Sequence, residues 1–150
     1  IKATVIQAYM IPTGSMKPTI MEGDRVFGNR FIYKFHEPER GDIIAFRPPE
    51  GVSDNKIPFL KRVIAVEGDT VEIRKGEVYI NGQHVDEPFV KIHSIETLPE
   101  LTVPRGNLFV MGDNRSSSYD SREWNFLPVE NVQAKAFFRF WPPGRVGGLY

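Results

Sequence analysis

Apolar and polar residues alternate in short runs along the whole chain, and the three-to-four-residue spacing of an amphipathic helix is missing. Residues 63–66 (VIAV), 70–73 (TVEI), 77–80 (EVYI) and 83–85 (QHV) are β-rich runs separated by Glu67-Gly68-Asp69, Lys75-Gly76 and Asn81-Gly82. Asn-Gly readily adopts the left-handed backbone of a tight hairpin turn, so this stretch predicts a meander of hairpins. Residues 4–10, 25–29, 42–46, 107–111 and 133–141 have the same strand character, and 12 prolines and 13 glycines mark the corners between them. The pattern predicts a mainly β fold, a partly closed antiparallel β-barrel-like sheet. A small hairpin-rich subdomain inserted at about 70–107 and coiled loops over 48–58 and 91–105 complete the prediction.

With 150 residues, 41% of them hydrophobic, the chain can form one domain with a real core. Nineteen basic and nineteen acidic side chains cancel, which leaves no electrostatic footprint for nucleic acid. The absence of cysteine excludes disulfides, zinc thiolate sites and thiol catalysis. His36, His84 and His93 lack metal-ligand spacing, and the Asp113-Asn114 stretch lacks the Gly and Glu of a calcium loop, so neither a metal nor another cofactor is expected. Residues 3–12 (ATVIQAYMIP) are far short of the roughly 20 apolar residues that cross a bilayer. The chain begins at an isoleucine with no charged segment of a signal peptide, and so reads as a piece whose upstream part has been removed. Arg40-Gly41-Asp42 matches an adhesion tripeptide but is expected to be a structural turn.

Three separated segments carry chemistry. Gly112 to Arg122 (GDNRSSSYDSR) is a hydroxyl-rich, charge-paired turn that no packing rule demands. Asp120 can pair with Arg122 and Asp113 with Arg115, leaving the Ser118 hydroxyl free to orient a neighbouring amine. Ser15 follows Pro12-Thr13-Gly14, a sequence that suits either an ordinary surface turn or a turn exposing a hydroxyl at a strand end. Lys61 and Arg62 interrupt an apolar run, and strand geometry sends them to opposite faces, one of them towards the packed side. An exposed Lys61 would discourage edge pairing. A buried Lys61 would lose solvation, its pKa falling from about 10.4 towards neutrality at a cost of about 3 to 4 kcal/mol, and its free amine could take a proton.

The segments IPTGSMKPTI, RGDIIAF, KRVIAVEGDTV and GDNRSSSYDSR resemble, in order, the successive boxes of the type I signal peptidases, membrane-bound Ser/Lys endopeptidases. The resemblance extends over most of the chain, and WNFLP (124–128) and FRFWPP (138–143) are similar to its cyanobacterial and plastid branch. It implies that Ser15 is the nucleophile and Lys61 the general base, with Ser118 orienting the lysine and Asp120 and Arg122 as a supporting ion pair in the box that includes Asp113. It also implies that the Ser15 backbone N–H and the Thr13 hydroxyl form the oxyanion hole. Many relatives have serine at the Thr13 position; threonine keeps the hydroxyl while restricting its rotamer.

By the same resemblance, the substrates are signal peptides of exported pre-proteins with small residues before the cut, typified by Ala-X-Ala. They would bind as an added strand between Tyr9 to Ile11 and Pro58 to Leu60, with Ile11, Met16 and Leu60 lining shallow pockets. The family also implies an N-terminal membrane anchor, absent from this sequence, with residues 1–9 as its stump. The catalytic domain would then lie at a bilayer surface on the trans side, facing a periplasm or a thylakoid lumen. Phe, Trp and Ile side chains near both chain ends are expected to form an exposed apolar patch. Rival readings are a self-cleaving Ser/Lys repressor peptidase, which lacks the GDNR box, a non-enzymatic β-barrel binding module, and an inactive relative, against which intact Ser15, Lys61 and Ser118 argue.

Overall fold

Alternating side chains become pleated strands in two antiparallel sheets in the computed structural model, which describes residues 5–150. The strands are β1 (Ile6–Met10), β2 (Arg25–Asn29), β3 (Ile43–Phe46), β4 (Phe59–Val66), β5 (Thr70–Arg74) and β6 (Glu77–Ile80). They continue as β7 (Gln83–His84), β8 (Leu98–Thr102), β9 (Asn107–Met111), β10 (Leu127–Pro128), β11 (Val132–Trp141) and β12 (Gly147–Gly148). Eight strands form the larger sheet in the order β1-β2-β11-β3-β4-β9-β10, with β12 added to β11. It curls into a half-barrel, and register shifts in the β11 ladders, where extra residues bulge, accompany the bend. The second sheet runs β7-β6-β5-β8. Of the strand expected over 4–10, Thr4 lies outside the described residues and β1 covers the rest from Ile6.

Residues 91–105 are not wholly coil, since Leu98–Thr102 pairs with β5 through Thr70↔Thr102 and Val71↔Leu101. Pro99 masks this strand in the sequence, but β8 is an edge of its sheet, where a missing backbone donor is tolerated. A single helical turn, α1 (Ser121–Trp124), also appears. It is too short for any apolar period, and its start is fixed by a capping box: the Asp120 carboxylate accepts from the first turn while Glu123 reaches back to the Asp120 N–H.

The core divides into apolar clusters on the two faces of the larger sheet and against the second sheet. β4 has no solvent face: Leu60 through Ala65 are all buried, Lys61 and Arg62 included. The two basic side chains point to opposite faces as expected, and both are enclosed. Arg62 donates two hydrogen bonds to Asp113, at 2.9 and 2.8 Å, with both groups buried. The expected pair of Asp113 with Arg115 therefore does not form. Arg62 stands opposite Met111 on the neighbouring strand, close enough to claim the carboxylate two residues on, and Arg115 turns instead to Glu87. Arg40-Gly41-Asp42 is a structural turn in which buried Asp42 accepts from Tyr33 and the Glu39 N–H.

Removing one partner of a buried ion pair leaves an uncompensated charge. Asp113→Ala is expected to lower unfolding free energy by about 3–5 kcal/mol, read from urea denaturation, whereas a loss under about 1 kcal/mol would show that Arg62 finds water.

Candidate active site

Two strands of the larger sheet have open edges. β1 is an outer strand, paired only with β2. Pairing of β4 with β9 starts at Arg62, so Phe59, Leu60 and Lys61 have a neighbour, β3, on one side only. Beside the β4 edge, where the chain leaves β1 at Ile11, lies a cavity of about 530 Å³. Its walls are the turn from Ile11 to Met16, the β4 edge with Pro58, and the Ser117 to Tyr119 loop with Glu123. Ser15, Lys61 and Ser118, far apart in sequence, therefore line one cavity.

Ser15 occupies a turn closed by the Lys17 N–H on the Gly14 carbonyl at 3.1 Å. The Asn114 backbone N–H donates to the Ser15 carbonyl at 2.9 Å and its side chain to the Gly14 carbonyl at 3.0 Å. With both carbonyls pinned from behind, the Ser15 side chain is left towards the cavity. The Thr13 hydroxyl lies 3.4 Å from Ser15 Oγ. Met16 is buried, and its sulfur receives the Asp113 N–H.

Lys61 is 5% exposed and sits at the centre of a directional chain. Its Nζ donates to Ser118 Oγ at 3.1 Å, and the Ser118 hydroxyl donates to Asp120 Oδ2 at 2.8 Å. The same oxygen accepts the Gly112 N–H at 2.9 Å, while Arg122 grips the carboxylate through Nε and Nη2 at 2.8 and 2.9 Å. Burial alone would push the Asp120 carboxyl up, but the Arg122 guanidinium and the hydrogen bonds from Gly112 and Ser118 hold it below its usual value. Burial pulls the Lys61 ammonium down to about 8; Asp120 opposes this and Arg122 adds to it.

The Ser118 proton is thus committed to Asp120, so Ser118 can only accept from Lys61. A neutral Lys61 amine spends one N–H on that bond and retains a lone pair, and the residue lines the cavity. Gly112 makes the assembly possible by lacking a side chain: a Cβ there would overlap both Ser118 Oγ and the Ser15 carbonyl oxygen. The roles of Gly112 and Asn114 as spacers and clamps leave no separate mark in the sequence. Of the expected cleft residues, Ile11, Met16, Pro58 and Leu60 line the cavity. Tyr9 does not; its ring packs into the core across Gly28. Among the described residues no cluster of His, Asp or Glu has the arrangement of a metal site.

A turn-borne serine and a desolvated amine share one cleft. A profile of the family described as "Signal peptidase, peptidase S26" matches residues 1–141. The chain is 45% identical over 149 residues to the probable signal peptidase I-1 of Synechocystis, covering 97% of this chain and 76% of that protein. It is 39% identical to thylakoidal processing peptidase 1 of Arabidopsis thaliana, covering 97% of this chain and 45% of that longer protein. The crystal structure of a signal peptidase I from Enterococcus faecalis superposes with a TM-score of 0.56 at 36% identity, covering 67% of this chain and 97% of that one. The chain is a serine peptidase. It belongs to the type I signal peptidases of family S26, on their cyanobacterial and plastid branch, a family that removes signal peptides.

The site yields two expected outcomes. Gly112→Ala forces Ser118 and the Ser15 turn apart, so peptidase activity should fall at least about a hundredfold, a displacement of about 1 Å being enough for that; activity within twofold of the parent would mean the loops adjust freely. Lys61 is penalised in the folded state while protonated, a penalty of about 3 kcal/mol that is fully present below pH 8 and relieved as pH rises from 8 towards 10.5. Lys61→Met should therefore raise Tm at pH 7, with the gain shrinking by pH 10, as differential scanning calorimetry at both values would record.

Proposed function

We propose that this chain is a signal-peptide endopeptidase in which Ser15 is the nucleophile and Lys61 the general base. The observation that carries the reading is the arrangement around Lys61: Ser118, itself donating to Asp120, accepts from Nζ, and this buried amine lines the same cavity as Ser15. Ser15 Oγ attacks the scissile carbonyl carbon as its proton passes to Lys61 Nζ. The oxygen of the tetrahedral intermediate is met by the Ser15 N–H and the Thr13 hydroxyl. Collapse of that intermediate expels the new amino terminus, which takes the proton from Lys61, and a water activated by the same amine then hydrolyses the acyl-enzyme.

The substrate enters as an extended strand between the β1 edge and Pro58 to Leu60, its backbone satisfying the unpaired edge. Ile11, Met16 and Leu60 are packed close to full burial, so the pockets they line are shallow and admit only small residues, which supports cutting after Ala-X-Ala. Met10 and Trp141, both opposite Arg25 at one end of β2, are large apolar side chains left exposed, as are Phe31 and Phe35 beyond its other end. They support contact with a lipid bilayer on the trans side of the membrane, where exported pre-proteins arrive. No helix of the described residues is long and apolar enough to cross a membrane.

A peptide containing Ala-X-Ala, presented with detergent or lipid across pH 6 to 10, tests this reading. The parent should cut after the final Ala, with activity rising through an alkaline limb near pH 8, where Lys61 becomes neutral. Ser15→Ala and Lys61→Ala should each lose about 10⁴-fold or more in kcat, and a chelator should change nothing. An active Lys61→Ala variant would refute the general base, and cleavage that ignores the residue before the cut would refute the pockets.

A further inference from the structure

The connection between β7 and β8 does more than close the second sheet. Residues 85–97 lie against the loop that carries Ser118 and Asp120, and they grip three arginines of the larger sheet's machinery. Glu87 takes the Arg115 guanidinium through both carboxylate oxygens, at 2.9 and 2.8 Å. The Phe89 ring covers Arg62 at 3.8 Å from ring centre to guanidinium carbon. Glu96 pairs with Arg122. Backbone contacts add to this: the Ile92 carbonyl accepts the Arg115 N–H at 2.9 Å, and Ile92 forms a parallel bridge with Asn114.

Each of these arginines is fastened at its other side to the polar shell of the cleft. Arg115 Nε donates to the Gly112 carbonyl at 2.9 Å, Arg62 holds Asp113, and Arg122 holds Asp120. The path runs from Glu87 to Arg115, to the Gly112 carbonyl, across the Gly112 Cα to its N–H, and from there to Asp120 Oδ2, to Ser118 and to Lys61 Nζ. An ion pair this enclosed, with the side chains 1% and 10% exposed, is a poor way merely to hold two segments together, because desolvation offsets most of the attraction. Its planar fork does something an apolar contact does not: it fixes the orientation of the guanidinium and, through Nε, holds the Gly112 carbonyl, while on the other side of the Gly112 Cα the Gly112 N–H points at Asp120.

We propose that Glu87 is a positioning residue for Lys61, acting through Arg115 and Gly112 to hold the Asp120–Ser118 pair in register, with Phe89 and Glu96 bracing the same strap. The second sheet then sets the rate of the chemical step without touching substrate. The proposal rests on Lys61 being the general base. Loss of the Glu87 charge loosens the hold of Arg115 on the Gly112 carbonyl and so the Gly112 backbone and Ser118, and admits water to an amine whose lowered proton affinity depends on exclusion of water.

Steady-state cleavage of the Ala-X-Ala peptide across pH 6 to 10 by the parent, Glu87→Gln and Lys61→Ala tests it. Glu87→Gln should lower kcat about tenfold with KM unchanged, and should move its alkaline limb upward, towards the ordinary lysine range. A Glu87→Gln profile that superimposes on the parent's, even with a lower Tm, overturns the positioning role while Lys61→Ala, if inactive, leaves the general base standing. An active Lys61→Ala refutes the base and the proposal with it. If Glu87→Gln does not fold, Glu96→Gln at the exposed end of the strap decides: a two- to threefold fall in kcat with a displaced limb supports the strap, and an unchanged profile overturns it.

Discussion

The Asp120 carboxylate is fully enclosed and still ionised, and the cleft is arranged around keeping it so. A bare carboxylate in that position would be protonated, because burial disfavours its charge. Arg122 supplies the opposite charge, the Gly112 and Arg122 backbone N–H groups supply further donors, and the Ser118 hydroxyl supplies the last. Every one of these is a local partner within the same turn, so one segment of chain carries its own counter-ion and reaches outward with a single hydroxyl. That outward reach is what fixes Lys61. The Asp120 side chain also caps α1, so the short helix and the polar shell share one anchor.

Around that anchor the sheets act as a frame with two open edges. β4 pairs with β3 alone over Phe59 to Lys61 and with β9 from Arg62 onward, and the change falls beside Lys61. The unpaired backbone of Phe59 to Lys61 would invite aggregation on a flat surface. It lines the cavity instead, beside the Ile11 to Met16 turn that follows β1. The proposed specificity for small residues follows from the same frame, since the side chains beneath the cleft are core residues with little freedom to withdraw.

Much of this was legible in the sequence, for reasons particular residues make clear. Strands with clean alternation and glycine turns, such as β5 and β6 around Lys75-Gly76, announce themselves because hairpins are local. β8 did not, because its strand character comes from pairing with β5 and Pro99 points the other way. The chemistry-bearing turns stood out because no packing requirement accounts for GDNRSSSYDSR. Their wiring was only half readable. Asp120 with Arg122 is a contact between residues two apart and was expected, whereas Asp113 with Arg62 and Arg115 with Glu87 join segments brought together only by folding. Which arginine meets which carboxylate is decided by strand register, and register is a property of the whole sheet.

Lys61 and Arg62 show how that register divides labour between neighbouring residues. Strand geometry sends them to opposite faces, and the two faces treat positive charge in opposite ways. Arg62 meets a dedicated carboxylate, Asp113, which with the Phe89 ring makes a closed, neutral unit. Lys61 meets a hydroxyl, and the nearest carboxylate, Asp120, is already neutralised by Arg122. With its attraction to Asp120 offset and its hydration removed, the lysine is left with no reason to hold its proton near pH 8, whereas an arginine in the same place would stay charged at any accessible pH. Exchanging the two residues would therefore not preserve the site: the planar fork that suits Asp113 would be lost, and the amine whose proton affinity burial can tune would be replaced by a group that burial cannot deprotonate.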